Sequence, residues 1–181
     1  MKFFNRITNR NKQKQISNVK KLDETQGSIS RPIMYSWIKT GLFAIGPMPK
    51  TVDQWEQLSQ AGFRSRFSCC YLYEEIFVVT PGNWPEARVS LPDHRNQEPL
   101  RQENLRDALE QARQLIELQP ATYIHCWAGC ERSALIATGI VALLENTDIF
   151  SALDRIRLCH PSASPIYDHL DLLETVLRTI R

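Results

Sequence analysis

Apolar residues arrive along this chain in short blocks whose period changes from one block to the next. Residues 37–45 are rich in aromatic and branched side chains and stop at Gly46-Pro47, which predicts a first strand. Thr51 stands three residues before Gln54, a capping-box spacing that predicts a helix running to Ala61 and closed by Gly62. Residues 63–72 predict the next strand, and 75–80 another with Pro81-Gly82-Asn83 as its turn. Residues 88–91 predict a further short strand. From Pro99 to Leu118 the period becomes helical, with Leu105, Leu109, Ala112 and Ile116 as the buried stripe. Pro120 then introduces Ala121-Thr122-Tyr123-Ile124, an apolar run of strand length. Three helical stretches follow, at 132–145, 149–159 and 165–180, with Pro161 and Pro165 framing the last join. Strands interleaved with helices predict an α/β fold, a central and mostly parallel sheet flanked by helices.

Charge divides the chain in two. Residues 1–21 hold seven Lys or Arg and no acid, whereas the remainder carries fifteen basic and twenty acidic residues, a net of about −5. Residues 1–30 therefore read as a basic tail, disordered or locally helical at best, and 31–181 as one domain. The tail reads as a solubilising extension; Phe3, Phe4 and Ile7 beside its basic residues also suit weak contact with an anionic membrane or a nucleic acid. No apolar run reaches the length of a signal-peptide core or a membrane span, so a cytoplasmic protein, acting as a monomer, is expected. Five cysteines, an odd number without paired Cys-x-x-Cys knuckles, point to reduced thiols rather than to a disulfide framework or a zinc site. No metal and no cofactor is expected.

The chemistry concentrates in His125-Cys126-Trp127-Ala128-Gly129-Cys130-Glu131-Arg132-Ser133. A strand that feeds a glycine-containing loop into a helix N-terminus gathers backbone N–H groups and the helix dipole around one point, which is an anion site. Cys126 stands at its mouth, where such surroundings favour a thiolate. Arg132 offers a planar fork that matches two oxygens of a phosphate. Gly129 allows close backbone approach, and Ser133 offers a hydroxyl to the sulfur.

His-Cys-x-x-Gly-x-x-Arg-Ser resembles the phosphate loop of the cysteine-dependent protein tyrosine and dual-specificity phosphatases, and Ala128-Gly129 with the Ser133-Ala134 pair suits the compact dual-specificity branch. The resemblance covers residues from about 35 to 181 and implies that fold. It implies a metal-independent phosphomonoesterase in which Cys126 attacks phosphorus, while Arg132 and the amides of Trp127, Ala128, Gly129, Cys130 and Glu131 hold the phosphoryl oxygens. Leu91-Pro92-Asp93-His94, about thirty residues upstream, is similar to the family's acid-bearing loop, with Leu91 where many tyrosine phosphatases have tryptophan. Asp93 is thereby the general acid, with Glu98 as its alternate, and Ser133 assists thiolate departure. His125 is expected to be structural, influencing the loop from behind. Some family members protect the nucleophile by a disulfide, which makes Cys70 and Cys130 candidate redox partners of Cys126, against the plainer reading of small buried hydrophobes. His160 is expected to pack or cap rather than catalyse.

Glu131 and the lack of a loop lysine disfavour a highly charged inositol phosphate, leaving a phosphorylated protein (phosphotyrosine, phosphoserine or phosphothreonine) as the expected substrate. Three alternatives stay open: a phosphate-binding module without turnover, a rhodanese-like sulfur carrier, and a phosphoinositide or RNA 5′-phosphatase with the same chemistry.

Overall fold

Backbone pairing places five strands side by side in the order β1-β2-β5-β3-β4: β1 Ser36–Lys39, β2 Phe43–Pro47, β3 Ser65–Ser68, β4 Glu86–Arg88 and β5 Thr122–Cys126. The structure is a computed structural model that describes residues 31–75, 83–96 and 98–180. Among the described residues only β1 runs antiparallel to its neighbour; the other three pairings are parallel. Helices α1 Val52–Gln60, α2 Gln102–Leu118, α3 Arg132–Leu144, α4 Ile149–Cys159 and α5 Tyr167–Ile180 complete the α/β architecture.

Alternation along the strands sorts the core into two layers. Phe43, Ile45, Phe67 and Ile124 belong to one cluster with the apolar faces of α2, α3, α4 and α5. Ala44 and Tyr123, the intervening positions, belong to a second with Trp55 and Leu58 of α1 and with Phe63. The third helix, α3, is buried from Arg132 through Ala142 and apolar on nearly all sides, so the residue that opens it is carried into the interior with it. β5 is paired on both flanks, with His125 opposite Gly46 and Ser68 and Cys126 opposite Pro47. Its C-terminal end opens at the sheet's crevice, the usual ligand position in open α/β sheets.

Several expected elements are redrawn. Residues 37–45 form two antiparallel strands, because Lys39, Thr40 and Gly41 make a turn: Leu42 N–H donates to the Lys39 carbonyl at 2.9 Å and Gly41 has φ +74°. The strand expected over 63–72 ends at Ser68. The chain then closes a 3₁₀ turn, Leu72–Glu74, in which the Glu74 carboxylate accepts the Tyr71 N–H at 2.8 Å. The strand placed at 88–91 pairs two residues earlier, at Glu86–Arg88. Thr51 does cap α1, accepting the Gln54 N–H at 3.3 Å, but the Gln54 side chain reaches the Lys50 N–H (2.7 Å) as well. Helix α2 starts at Gln102 rather than Pro99. Glu75 lies outside any strand, and the rest of that expected strand, residues 81–82 of its turn and the tail 1–30 lie outside the described residues.

Candidate active site

Five residues, 127–131, join β5 to α3 and turn the chain around the Cys126 sulfur. Gly129 N–H donates to Sγ at 3.2 Å, and the Ser133 hydroxyl lies 3.3 Å from it. The loop is held from outside by its carbonyls. Met48 N–H donates to Trp127 O (3.3 Å) and Ser164 N–H to Cys130 O (2.9 Å), while His160 Nε2 lies 3.0 Å from Gly129 O. A trans peptide points its N–H opposite its C=O, so these outward carbonyls turn the N–H groups of Ala128, Cys130 and Glu131 the other way, as an anion-binding concavity requires. Gly129 is needed for this path: its φ is +80°, and a Cβ there would stand 2.5 Å from the Gly46 carbonyl carbon and 2.6 Å from Pro47 N.

His160 exceeds its expected packing role. A carbonyl only accepts, so Nε2 carries the proton given to Gly129 O, and Nδ1, 2.9 Å from Ser36 Oγ, is left to accept. Burial lowers its pKa, against the Gly129 hydrogen bond, in keeping with this neutral tautomer.

Arg132 is 1 % exposed, and a buried guanidinium demands partners. Its Nη1 donates to Glu74 Oε2 at 2.6 Å and its Nη2 to Glu74 Oε1 at 3.0 Å; Nη1 also reaches the Leu91 carbonyl at 3.1 Å. Nη2 lies 2.8 Å from Asp93 Oδ2. Arg95 completes a ring of two arginines and two carboxylates, bonding Glu74 at 2.6 Å and both oxygens of Asp93. Burial alone would raise the pKa of Glu74 and of Asp93. Hydrogen bonds from Arg132 to the first and from Arg95 to the second, with the surrounding positive charge, outweigh it and hold both below the usual carboxylate range. The Glu74 hydrogen bond, with Cys126 and Cys70 nearby, raises Arg132 against its burial. Arg132 Nε is buried and has no hydrogen-bond partner among the described residues.

The acid-bearing turn is braced internally, with Asp93 N–H donating to Asn96 Oδ1 (2.8 Å) and Asn96 N–H to Asp93 O (2.9 Å). It is also tied to the phosphate loop through Glu131, whose Oε1 lies 2.5 Å from His94 Nδ1 and whose Oε2 accepts the His94 N–H at 3.2 Å. Trp127 carries Lys50 Nζ at 4.7 Å and Arg95 Cζ at 5.6 Å from its ring centroid. A cavity of about 240 Å³ opens here, lined by the loop residues Cys126, Trp127, Ala128, Glu131 and Arg132 and by the turn residues Asp93, His94 and Arg95. A larger groove, about 830 Å³, runs along α2 and the ends of α3 and α5, away from Cys126 and lined by no cysteine or histidine.

Other expected residues fall outside this cluster. Glu98 is exposed, accepts a hydrogen bond from the Tyr71 hydroxyl and does not line the cavity. His125 packs rather than bonding the loop: it stacks on Tyr123 and sits edge-on to Trp55, with neither ring nitrogen partnered among the described residues. Burial, opposed by Glu75, pushes its pKa down to about 3. Cys69 and Cys70 lie just past β3, buried, and burial raises the Cys70 thiol to about 12 against the pull of Arg132. Cys130 is half-buried and faces the Ala128 carbonyl. Among the described residues no group of three or more His, Cys, Asp or Glu is placed to hold a metal ion. Glu74 and Arg95, which complete the charge ring, were not singled out by the motif.

No family model matches the sequence, and no curated protein does. Solved structures do match. PTPMT1 in complex with PI(5)P superposes with a TM-score of 0.68 at 20 % identity, covering 81 % of this chain and 96 % of that one. The human tyrosine phosphatase-like serine/threonine/tyrosine-interacting protein gives 0.67 at 14 % identity, over 81 % and 97 %. Human DUSP28 gives 0.64 at 18 % identity, over 82 % and 97 %. The chain has the fold of the dual-specificity and tyrosine phosphatases.

Proposed function

We propose that this protein is a metal-independent phosphomonoesterase that works through a phosphocysteine on Cys126. The observation that carries the reading is Arg132. Its charge is buried, Glu74 holds one edge of its guanidinium, and its buried Nε has no hydrogen-bond partner among the described residues, in a side chain that lines the same cavity as Cys126. An unpaired buried donor costs about 1–3 kcal/mol, and a phosphoryl oxygen would remove that cost.

In the first half-reaction the Cys126 sulfur attacks phosphorus in line, the S–P bond forms and the P–O bond to the leaving group breaks. Arg132 and the loop amides take the equatorial oxygens. Asp93 supplies the proton to the departing oxygen. As the structure stands Asp93 is an ion-pair partner of Arg132, so an arriving dianion competes for that guanidinium. Moved off Arg132, loosened from Arg95 and set beside a dianion, the carboxyl gains proton affinity, which makes it a donor when substrate is present. In the second half-reaction Asp93 takes a proton from water as the water attacks phosphorus, and the Ser133 hydroxyl stabilises the departing thiolate.

A phosphorylated protein side chain is the substrate class we favour. Glu131 sets a negative charge within the loop, and Arg132 is the loop's only cation, which suits a single phosphoryl group better than a polyphosphorylated inositol. Hydrolysis of an aryl phosphate in excess chelator tests the reading. Wild type should turn over and Cys126→Ser should not; a folded, reduced wild type that binds phosphate without turnover would leave the phosphate-binding module instead.

A further inference from the structure

Glu131 is an awkward residue for its place. It is the N-terminal flanking residue of α3 but does not cap the helix with its side chain, and its charge repels a phosphoryl dianion bound to the neighbouring Arg132. Both of its oxygens go instead to one residue of the acid turn, Oε2 to the His94 N–H and Oε1 to Nδ1. A carboxylate only accepts, so Nδ1 carries the proton whether the ring is neutral or charged, and the contact persists in either state.

Besides the stacking of Arg95 over the Trp127 ring at 5.6 Å, the turn has two hydrogen-bonded attachments to the phosphate loop. One runs through Arg132, to the Leu91 carbonyl and the Asp93 carboxylate. The other is Glu131–His94. They are not equivalent during the reaction. When a phosphoryl group takes the Arg132 fork, the Asp93 contact must yield, and the first attachment weakens at the moment the acid is needed. The second touches neither the fork nor Asp93 and survives the exchange. Leu91 and Pro92 are buried and anchor one end of the turn, whereas His94 and Arg95 are exposed and held through side-chain contacts, Arg95 by Glu74 and His94 by Glu131.

We propose that Glu131 and His94 form a clasp that keeps the acid-bearing turn on the phosphate loop while Asp93 leaves Arg132, and that both are positioning residues for Asp93. The proposal rests on the phosphatase reading for its kinetic consequence but not for its structural one. It also explains why an acidic side chain stands in an anion-binding loop, since the repulsion it adds towards substrate is offset by a turn fixed through side-chain contacts.

Two measurements test it together. Hydrogen exchange of the amides at 93–96 reads the clasp without any turnover, and loss of a partly exposed paired contact of this kind should speed it roughly 5- to 30-fold in Glu131→Ala. Steady-state rates on phenyl phosphate and on 4-nitrophenyl phosphate read its catalytic effect. Only the poorer leaving group needs the acid, so Glu131→Ala should lose about tenfold in kcat on phenyl phosphate and little on the nitrophenyl ester. Glu131→Gln, which keeps acceptor oxygen for His94, should recover part of the loss, and Asp93→Asn should mask it in the double variant. Unchanged exchange, or an equal loss on both esters, would overturn the clasp. Faster exchange in a protein whose wild type hydrolyses neither ester would sustain the clasp and sink the phosphatase reading.

Discussion

Arg132 and Glu74 meet edge to edge, Nη1 to Oε2 at 2.6 Å and Nη2 to Oε1 at 3.0 Å, with both side chains almost wholly buried. The pair fixes the plane of the guanidinium, and with it the direction in which Nε points. Glu74→Gln keeps the shape but sets an NH₂ group against two arginines. We expect kcat/KM to fall roughly 10- to 100-fold through misplacement of the fork, with the protein still folded. Kinetics together with a urea unfolding curve would check this; a variant with wild-type kcat/KM would show that Glu74 does not orient Arg132.

Asp93 occupies the Arg132 fork at 2.8 Å, where a phosphoryl oxygen would have to go. Asp93→Asn removes that competing charge while keeping the turn. It should bind inorganic phosphate more tightly than wild type, by about three- to tenfold, while losing about 10²-fold or more in kcat on phenyl phosphate. Isothermal titration with phosphate is the check, and equal or weaker binding would count against the exchange.

His160 supports the loop through the Gly129 carbonyl. His160→Ala should cost about 1 kcal/mol of stability and lower phosphate affinity, whereas His160→Gln, whose amide can still donate, should recover much of both. Thermal melts with and without phosphate separate the two effects.

The nucleophile, the arginine and the loop are legible in the sequence because they are adjacent in the chain and each residue type has one chemical reason to be there. The sheet's central strand is legible for a related reason: an uninterrupted apolar run before the loop. Glu74 is not, since its partner lies 58 residues away and it falls in the gap between the strands expected over 63–72 and 75–80. A buried arginine requires a carboxylate, but the sequence does not say which. The reach of His160 is hidden likewise, because a hydrogen bond to a backbone carbonyl leaves no mark on composition. The single strand expected over 37–45 fails for a local reason, the turn formed by Lys39, Thr40 and Gly41.

His125 gives the fold a pH dependence. Its native pKa, about 3, lies below the unfolded value near 6.5, so below pH 6.5 the unfolded chain takes up a proton that the native protein refuses. Stability should therefore fall as the pH drops from 6.5 towards 3, by up to about 1.4 kcal/mol per pH unit for this group. His160 and His169, also lowered by burial, add in the same direction. Urea midpoints at pH 7.0, 6.0 and 5.0 should show the slope, and His125→Asn should flatten it; an identical slope in the variant would place the dependence elsewhere.

A covalent phosphate on Cys126 can be trapped. Wild type and Ser133→Ala would be mixed with an aryl phosphate in chelator, quenched in acid within milliseconds and digested for mass analysis. A phosphoryl group should appear on the peptide bearing Cys126 and accumulate further in Ser133→Ala, because thiolate departure is slowed. Turnover without any phosphoryl group on that peptide, or turnover that persists in Cys126→Ser, would contradict it.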